Sequence, residues 1–181
     1  MPRAVSLKRI YPAVGEFMIQ YAVVQGTMRT LLLALLKVRG KGATTLVYGM
    51  SDDTVVKKIK VALNAYGRHY PKFKPALDAL DEVATYRNQI VHWVPFINPA
   101  RTTIIAFIDA HRDYRNPNQP EVTCTPEALR ALSKWLRLFE WDLLAMIMAI
   151  DQRERFDIRS YRTLDKAWQP FVPKSSYTTR L

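Results

Sequence analysis

Residues 14–38 read VGEFMIQYAVVQGTMRTLLLALLKV, and this stretch decides the fold class. Apolar side chains recur through it in alternating steps of four and three residues, at Phe17, Tyr21, Val24, Met28, Leu31, Leu35 and Val38. That spacing places all of them on one face of an α-helix, so the stretch predicts a long helix with one buried face. The glycine-rich residues 39–42, RGKG, are expected to end the helix.

A second stripe of the same kind lies in the last third of the chain. Its apolar positions are Leu129, Leu132, Leu136, Phe139, Leu143, Met146 and Ile150. Thr125 is the predicted N-cap, and Pro126 occupies the first helical position. Two further helices are expected, one opening at Ser51 and the other running from Pro75 to near His92. Four amphipathic helices predict a helical bundle.

Residues 97–124 have a different character from these four helical segments. TTIIAFIDA and EVTC within them are typical of a β-hairpin or an ordered loop. We therefore expect an all-α bundle of four to five helices over residues 1–153, with a small β-hairpin or long-loop insertion at about 97–124. A basic, aromatic C-terminal tail follows at 154–181.

Positive charge is concentrated in the first part of the chain. Residues 1–74 contain 13 Lys and Arg against 3 Asp and Glu. Such an excess favours a polyanionic partner, most commonly RNA or DNA, although a basic surface can also serve only solubility.

Cys124 is the single cysteine, which excludes a disulfide within one chain and predicts a reducing, cytoplasmic setting. The most apolar run falls far short of the ~20 residues of a spanning helix, so no membrane partner is expected.

One local motif carries candidate chemistry, at residues 86–93, YRNQIVHW. Arg87 continues the apolar stripe of its own helix, and Asn88 shares a helix face with His92, four residues later. On an ideal helix Arg87 and His92 lie about 140° apart. They converge only where the helix loosens, which the approaching Pro95 would allow, or where a second chain completes the site. The other YRN, at 114–116, precedes a proline and is typical of a turn.

YRNQIVHW closely resembles the signature of HEPN domains, which are helical bundles bearing Arg, a polar residue, about three variable residues and His. The resemblance implies a metal-independent endoribonuclease without a cofactor, whose site combines Arg87, Asn88 and His92 from both chains of a homodimer. It also implies a role in toxin–antitoxin systems or antiviral defence, with an antitoxin or regulatory protein as a further partner. Val94 departs from the pattern, since toxins of HEPN–MNT pairs usually carry Tyr at this position.

The chemistry of RNA cleavage suits these residue types. Attack by the ribose 2′-OH needs a base, an acid and a cation near the phosphorane. Arg87 can bind phosphate oxygens through its planar fork, and His92 can transfer protons because histidine titrates nearest neutrality. One His per chain does not readily supply both base and acid, and a second copy in a two-fold dimer would. Asn88 would orient His92 or hold phosphate.

Two alternatives stay open at this point. His92 can simply cap the helix end while Arg87 pairs with Asp81, Glu82 or Glu16. In the second alternative the chain is a non-catalytic HEPN-like module that binds RNA, a nucleotide or a protein.

A second candidate region is the basic, aromatic link RHYPKFK at 68–74. Its predicted RNA-binding residues are Arg68, His69, Tyr70, Lys72 and Lys74, which can hold a phosphate backbone and stack a base. His111 is interpreted as a residue at a strand end. No pair of histidines has the spacing of metal ligands on a helix, so no metal site is expected.

Overall fold

The computed structural model describes residues 7–65, 70–92, 94–97, 105–108 and 121–152. Within these ranges it contains five α-helices and one three-stranded sheet. In chain order the elements are α1 (Leu7–Leu36), α2 (Lys41–Tyr48), α3 (Asp52–Ala65), α4 (Tyr70–His92), β1 (Val94–Ile97), β2 (Ile105–Ile108), β3 (Glu121–Cys124) and α5 (Pro126–Gln152). The prediction of an all-α bundle with a small β insertion is confirmed.

Helix α1 lies at the centre of the bundle, between α3 and α5. Phe17, Val24 and Leu31 from the predicted stripe have no exposed surface. Gln20 donates a hydrogen bond from Nε2 to Glu140 Oε2 of α5 at 2.9 Å, which ties the two helices together at their polar edge. Burial of the apolar stripe thus drives the packing of α1, as its period predicts.

The end of α1 differs from the predicted glycine stop. Lys37 adopts a left-handed φ of 53°, and its N–H bonds to the Ala34 carbonyl at 3.1 Å while the Val38 N–H bonds to Leu33 at 3.2 Å. This pair of bonds is a Schellman motif, which ends the helix before the glycines are reached. Val38, predicted to be the last residue of the stripe, therefore lies outside the helix and is exposed.

Helix α2 was not predicted from the sequence. Gly40, with φ 104°, is its N-cap, and the helix begins within the RGKG stretch that was expected only to end α1. Val47 is buried and Ala43, one turn before it, is half-buried, so these two residues form the face that packs on the body of the protein. The helix has only eight residues, and its Leu46 is exposed, so the sequence shows no sustained apolar stripe there.

Helices α3 and α4 begin at different kinds of start signal. Ser51 caps α3 as predicted, because its Oγ accepts the Thr54 N–H at 3.3 Å. The predicted start of α4 at Pro75 is wrong, since the helix begins five residues earlier at Tyr70. Pro71 suits the first turn, where its missing N–H is not needed. Phe73 is fully buried and stacks on Phe139 with ring centroids 5.6 Å apart, which stabilises this turn ahead of Pro75.

The small sheet connects α4 to α5. Strand β2 pairs antiparallel with both neighbours, with Ile105 opposite Cys124 of β3 and Val94 of β1 opposite Ile108. The predicted hairpin therefore corresponds to β2 and β3, and β1 adds a third strand that begins before residue 97. The capped start of α5 is confirmed, because the Ala128 N–H bonds to Thr125 Oγ1 at 3.1 Å.

By length and composition, one helix among the described residues could cross a membrane, at Ile10–Leu36 of α1 with a mean hydropathy of 1.3. In this structure 39% of its most apolar window is buried inside the protein. The core helix of a bundle passes the same test, since its buried face is necessarily apolar. We interpret α1 as such a core helix, because it is flanked by α3 and α5.

Candidate active site

The three residues of the motif lie on the last two turns of α4. The helix stays α-helical through His92, so the loosening that would bring Arg87 and His92 together within one chain does not occur. Asn88 and His92 are both exposed, and their separation of four residues places them on one face. His92 is the last residue of α4.

Arg87 is half-buried and leans towards the face that carries Asn88. Its Nη1 donates a hydrogen bond to Asn88 Oδ1 at 2.9 Å. Its guanidinium carbon lies 5.8 Å from the ring centroid of Tyr21 on α1, within the range of a cation–π contact. The guanidinium therefore lies at the edge of the Asn88–His92 face, held by one amide and one aromatic ring.

Of the three carboxylates proposed as alternative partners of Arg87, Asp81 and Glu16 are engaged elsewhere, and Glu82 forms no ion pair with it among the described residues. Asp81 lies 2.7 Å from Lys60 Nζ, and Glu16 lies 3.8 Å from Arg137. Within the described ranges no carboxylate forms an ion pair with Arg87, and its buried Nε has no hydrogen-bond partner there. The charge of Arg87 is thus not neutralised by the carboxylates that the sequence offered.

Tyr21 contacts Arg87 and is a residue of the candidate site that the sequence motif does not include. It occurs in the stripe of α1 and was interpreted as a core residue only. Burial raises the pKa of the Tyr21 phenol, and a hydrogen bond involving Gln25 partly offsets this rise. The phenol is therefore neutral near pH 7 and can face the guanidinium as an aromatic ring.

Beside this pair, α1 and α3 are joined by a second polar cluster. Arg29 donates from Nη2 to Asp52 Oδ1 at 2.6 Å and to the Met50 carbonyl at 3.2 Å. Gln25 also donates to Asp52. These bonds position the first turn of α3 next to the end of α4 that carries the motif.

A pocket of about 410 Å³ opens between α1, α3 and α4. Asn88 lies in its wall, so the pocket adjoins the candidate site. Its other polar lining residues are Tyr21, Gln25, Arg29, Asp52, Asp53, Asp81 and Thr85. Three of these residues are carboxylates, and each already pairs with a cation: Asp52 with Arg29, Asp53 with Lys57 and Asp81 with Lys60.

The second predicted group is only partly within the described residues. Arg68 and His69 lie outside them. Tyr70 and Lys72 belong to the first turn of α4 rather than to a loop, because the helix begins at Tyr70. Lys74 is exposed on α4 and pairs with Asp78 four residues later. Hydrogen bonds from Lys74 and then Lys60 lower the pKa of the Asp78 carboxyl, so Lys74 is partly neutralised.

Metal-ligand types do not cluster in the part of the chain that the structure describes, where no group of three His, Cys, Asp or Glu could hold an ion. His69 and His111 lie outside that part.

Comparison with protein-family models, curated proteins and solved structures finds no match to this chain. The HEPN resemblance therefore depends on YRNQIVHW and on the helical architecture.

Proposed function

We propose that this protein is a metal-independent endoribonuclease of the HEPN type, active as a homodimer. One observation carries the proposal: Arg87 bonds to exposed Asn88, on the face that also carries exposed His92, without a carboxylate partner among the described residues. A structural arginine is expected to be paired when half-buried. A guanidinium left without such a partner is suited to an external anion, and RNA phosphate is the anion that the basic first part of the chain favours.

Each residue has a defined role in the proposed reaction. One His92 removes the proton of the ribose 2′-OH, whose oxygen attacks phosphorus and displaces the 5′-oxygen. The second His92, from the partner subunit, protonates that leaving oxygen. Arg87 stabilises the charge on the phosphorane, and Asn88 holds the guanidinium in position through its Oδ1. The products are a 2′,3′-cyclic phosphate and a 5′-hydroxyl, and no metal or cofactor takes part.

The requirement for two copies follows from the regular geometry of α4. A single chain presents one His on this face, and Arg87 starts about 140° around the axis from it. Val91, directly before His92, is 45% exposed and is an apolar group that a second copy would cover. The dimer axis is therefore proposed to pass near the end of α4.

The biological setting belongs to the same proposal. The protein acts in the cytoplasm on RNA, in toxin–antitoxin or antiviral defence, and an antitoxin or regulatory protein controls it. This setting follows from the resemblance of YRNQIVHW to the HEPN signature and from the single cysteine.

A non-catalytic HEPN-like module that binds RNA, a nucleotide or a protein is the rival function. It is favoured by the contacts of Arg87 with Tyr21 and Asn88, which anchor the guanidinium within one chain. The pocket beside Asn88 would then be the binding site. The two functions differ in whether RNA is cut.

Cleavage of a mixed-sequence RNA in excess EDTA tests the proposal. The parent is compared with His92→Ala and Arg87→Ala, and with Lys134→Ala as a variant that loses an exposed cation of α5. All four must fold and keep the same oligomeric state. We expect the parent and Lys134→Ala to release 2′,3′-cyclic phosphate ends and the other two to be inactive. Equal cleavage by all four, or by none, would contradict the proposal, and RNA binding without cleavage would favour the rival.

A further inference from the structure

We propose that the exposed face of α2 is a binding surface for single-stranded RNA. Lys41, Thr44, Thr45 and Tyr48 stand at positions i, i+3, i+4 and i+7 of this helix, and all four are exposed. The opposite side is the face of Ala43 and buried Val47. This four-residue set, here called the α2 face, therefore points away from the protein body.

The electrostatics around the α2 face favour a polyanion. Between Glu16 and Asp52 the chain has no Asp or Glu. Lys37, Arg39 and Lys41 are all exposed at the turn into α2. Among the described residues only Arg39 has a carboxylate nearby, at 3.8 Å from Asp151, and that exposed pair contributes little. Three cations thus face solvent without strong internal neutralisation, which suits a phosphate backbone.

The remaining side chains of the α2 face favour a single strand of RNA over other polyanions. Tyr48 is 54% exposed, and an exposed aromatic ring beside cations can stack an unpaired base. The hydroxyls of Thr44 and Thr45 donate to backbone carbonyls of Gly40 and Lys41, which leaves their oxygens free to accept a hydrogen bond from a ribose 2′-OH. DNA lacks that donor.

The position of α2 connects this surface with the candidate active site. Two residues after Tyr48, the Met50 carbonyl accepts a hydrogen bond from Arg29 at 3.2 Å. Arg29 lines the same pocket as Asn88. The segment that follows α2 is thus linked through Arg29 to the pocket beside the candidate active site. The inference rests on the proposed RNA substrate, but it does not require cleavage.

The test measures binding in a His92→Ala background, so that the RNA stays intact. Fluorescence anisotropy with a short, labelled, unstructured RNA compares Tyr48→Ala with Tyr11→Ala, whose ring on α1 is 57% exposed. It also compares Lys41→Ala with Lys58→Ala, an exposed lysine of α3. We expect Tyr48→Ala to weaken binding roughly tenfold without changing its salt dependence. Lys41→Ala should lower the slope of log affinity against log salt by about 0.7. Both control variants should bind like the background.

Several outcomes would overturn the inference. The first is that Tyr48→Ala binds the RNA as tightly as Tyr11→Ala does. The second is that a DNA of the same sequence binds as tightly as the RNA. The third is that the protein prefers anionic lipid vesicles to RNA. Cleavage by the parent with unchanged binding in both α2 variants would refute the α2 surface and retain the nuclease. Lost binding in both α2 variants, with no cleavage by the parent, would retain the surface and refute the nuclease.

Discussion

Replacing Arg87 by Met should leave the free energy of unfolding nearly unchanged. The variant loses the contact with Tyr21, which contributes about 1 kcal/mol, and a half-exposed hydrogen bond to Asn88 of about 1 kcal/mol. It also removes the buried Nε, whose missing hydrogen bond costs about 1–3 kcal/mol. The net change is therefore within about 1 kcal/mol of zero, while RNA cleavage should be lost.

Urea unfolding followed by far-ultraviolet circular dichroism measures this free energy, and Arg29→Met is the matched control. Arg29 is only 14% exposed and pairs with Asp52, whose carboxylate is 41% exposed. Its removal leaves that carboxylate without its ion pair, with only the hydrogen bond from Gln25, and should lower the free energy of unfolding by about 2 kcal/mol, less than for a fully buried pair. A loss in Arg87→Met as large as that in Arg29→Met would refute the argument, because Arg87 would then be a structural residue.

Three further predictions concern stability. Lys37→Gly should raise the free energy of unfolding by about 1 kcal/mol in urea titrations, since glycine adopts the left-handed φ of 53° without strain, whereas Lys37→Ala should not. Thr125→Ala should lower the free energy of unfolding by about 1 kcal/mol, because α5 loses its N-cap. Thr125→Ser should retain most of the stability, because serine keeps the capping hydroxyl. The pKa of Asp78 is lower in the folded state than in the unfolded state. Its contribution to the free energy of unfolding is therefore present above the unfolded-state pKa, near 3.9, and is lost as the pH falls through the folded-state pKa. Asp78→Asn should therefore flatten stability against pH below about 4 in acid titrations, and an unchanged profile would contradict the role of its hydrogen bonds from Lys74 and Lys60.

Long periodic segments were predictable from the sequence because one physical effect, burial of an apolar face, decides them. This holds for α1 and α5, including the Thr125 cap. The start of α4 was not predictable in this way, because stacking of Phe73 on a residue from another helix stabilises a turn ahead of Pro75. Helix α2 escaped prediction since it is short and buries little more than Val47.

The candidate site shows the same division. The positions of Asn88 and His92 on one exposed face follow from their spacing of four residues. The environment of Arg87 does not follow from spacing, since Tyr21 belongs to a helix more than sixty residues earlier in the chain. Which carboxylates remain free to pair with Arg87 depends on the packing of α3 and α5, where Lys60 and Arg137 engage Asp81 and Glu16.

Subunit mixing tests the central claim, that each active site needs residues from two chains. The parent is mixed with a roughly threefold excess of His92→Ala, subunits are allowed to exchange, and RNA cleavage in EDTA is measured per parent chain. If two His92 side chains act together, mixed dimers are inactive and cleavage per parent chain falls to about a quarter. Lys134→Ala, an exposed surface variant of α5 that keeps His92, should leave that rate undiminished in the same mixture. A rate per parent chain that is unaffected by His92→Ala, with exchange shown to be complete, would contradict the composite site.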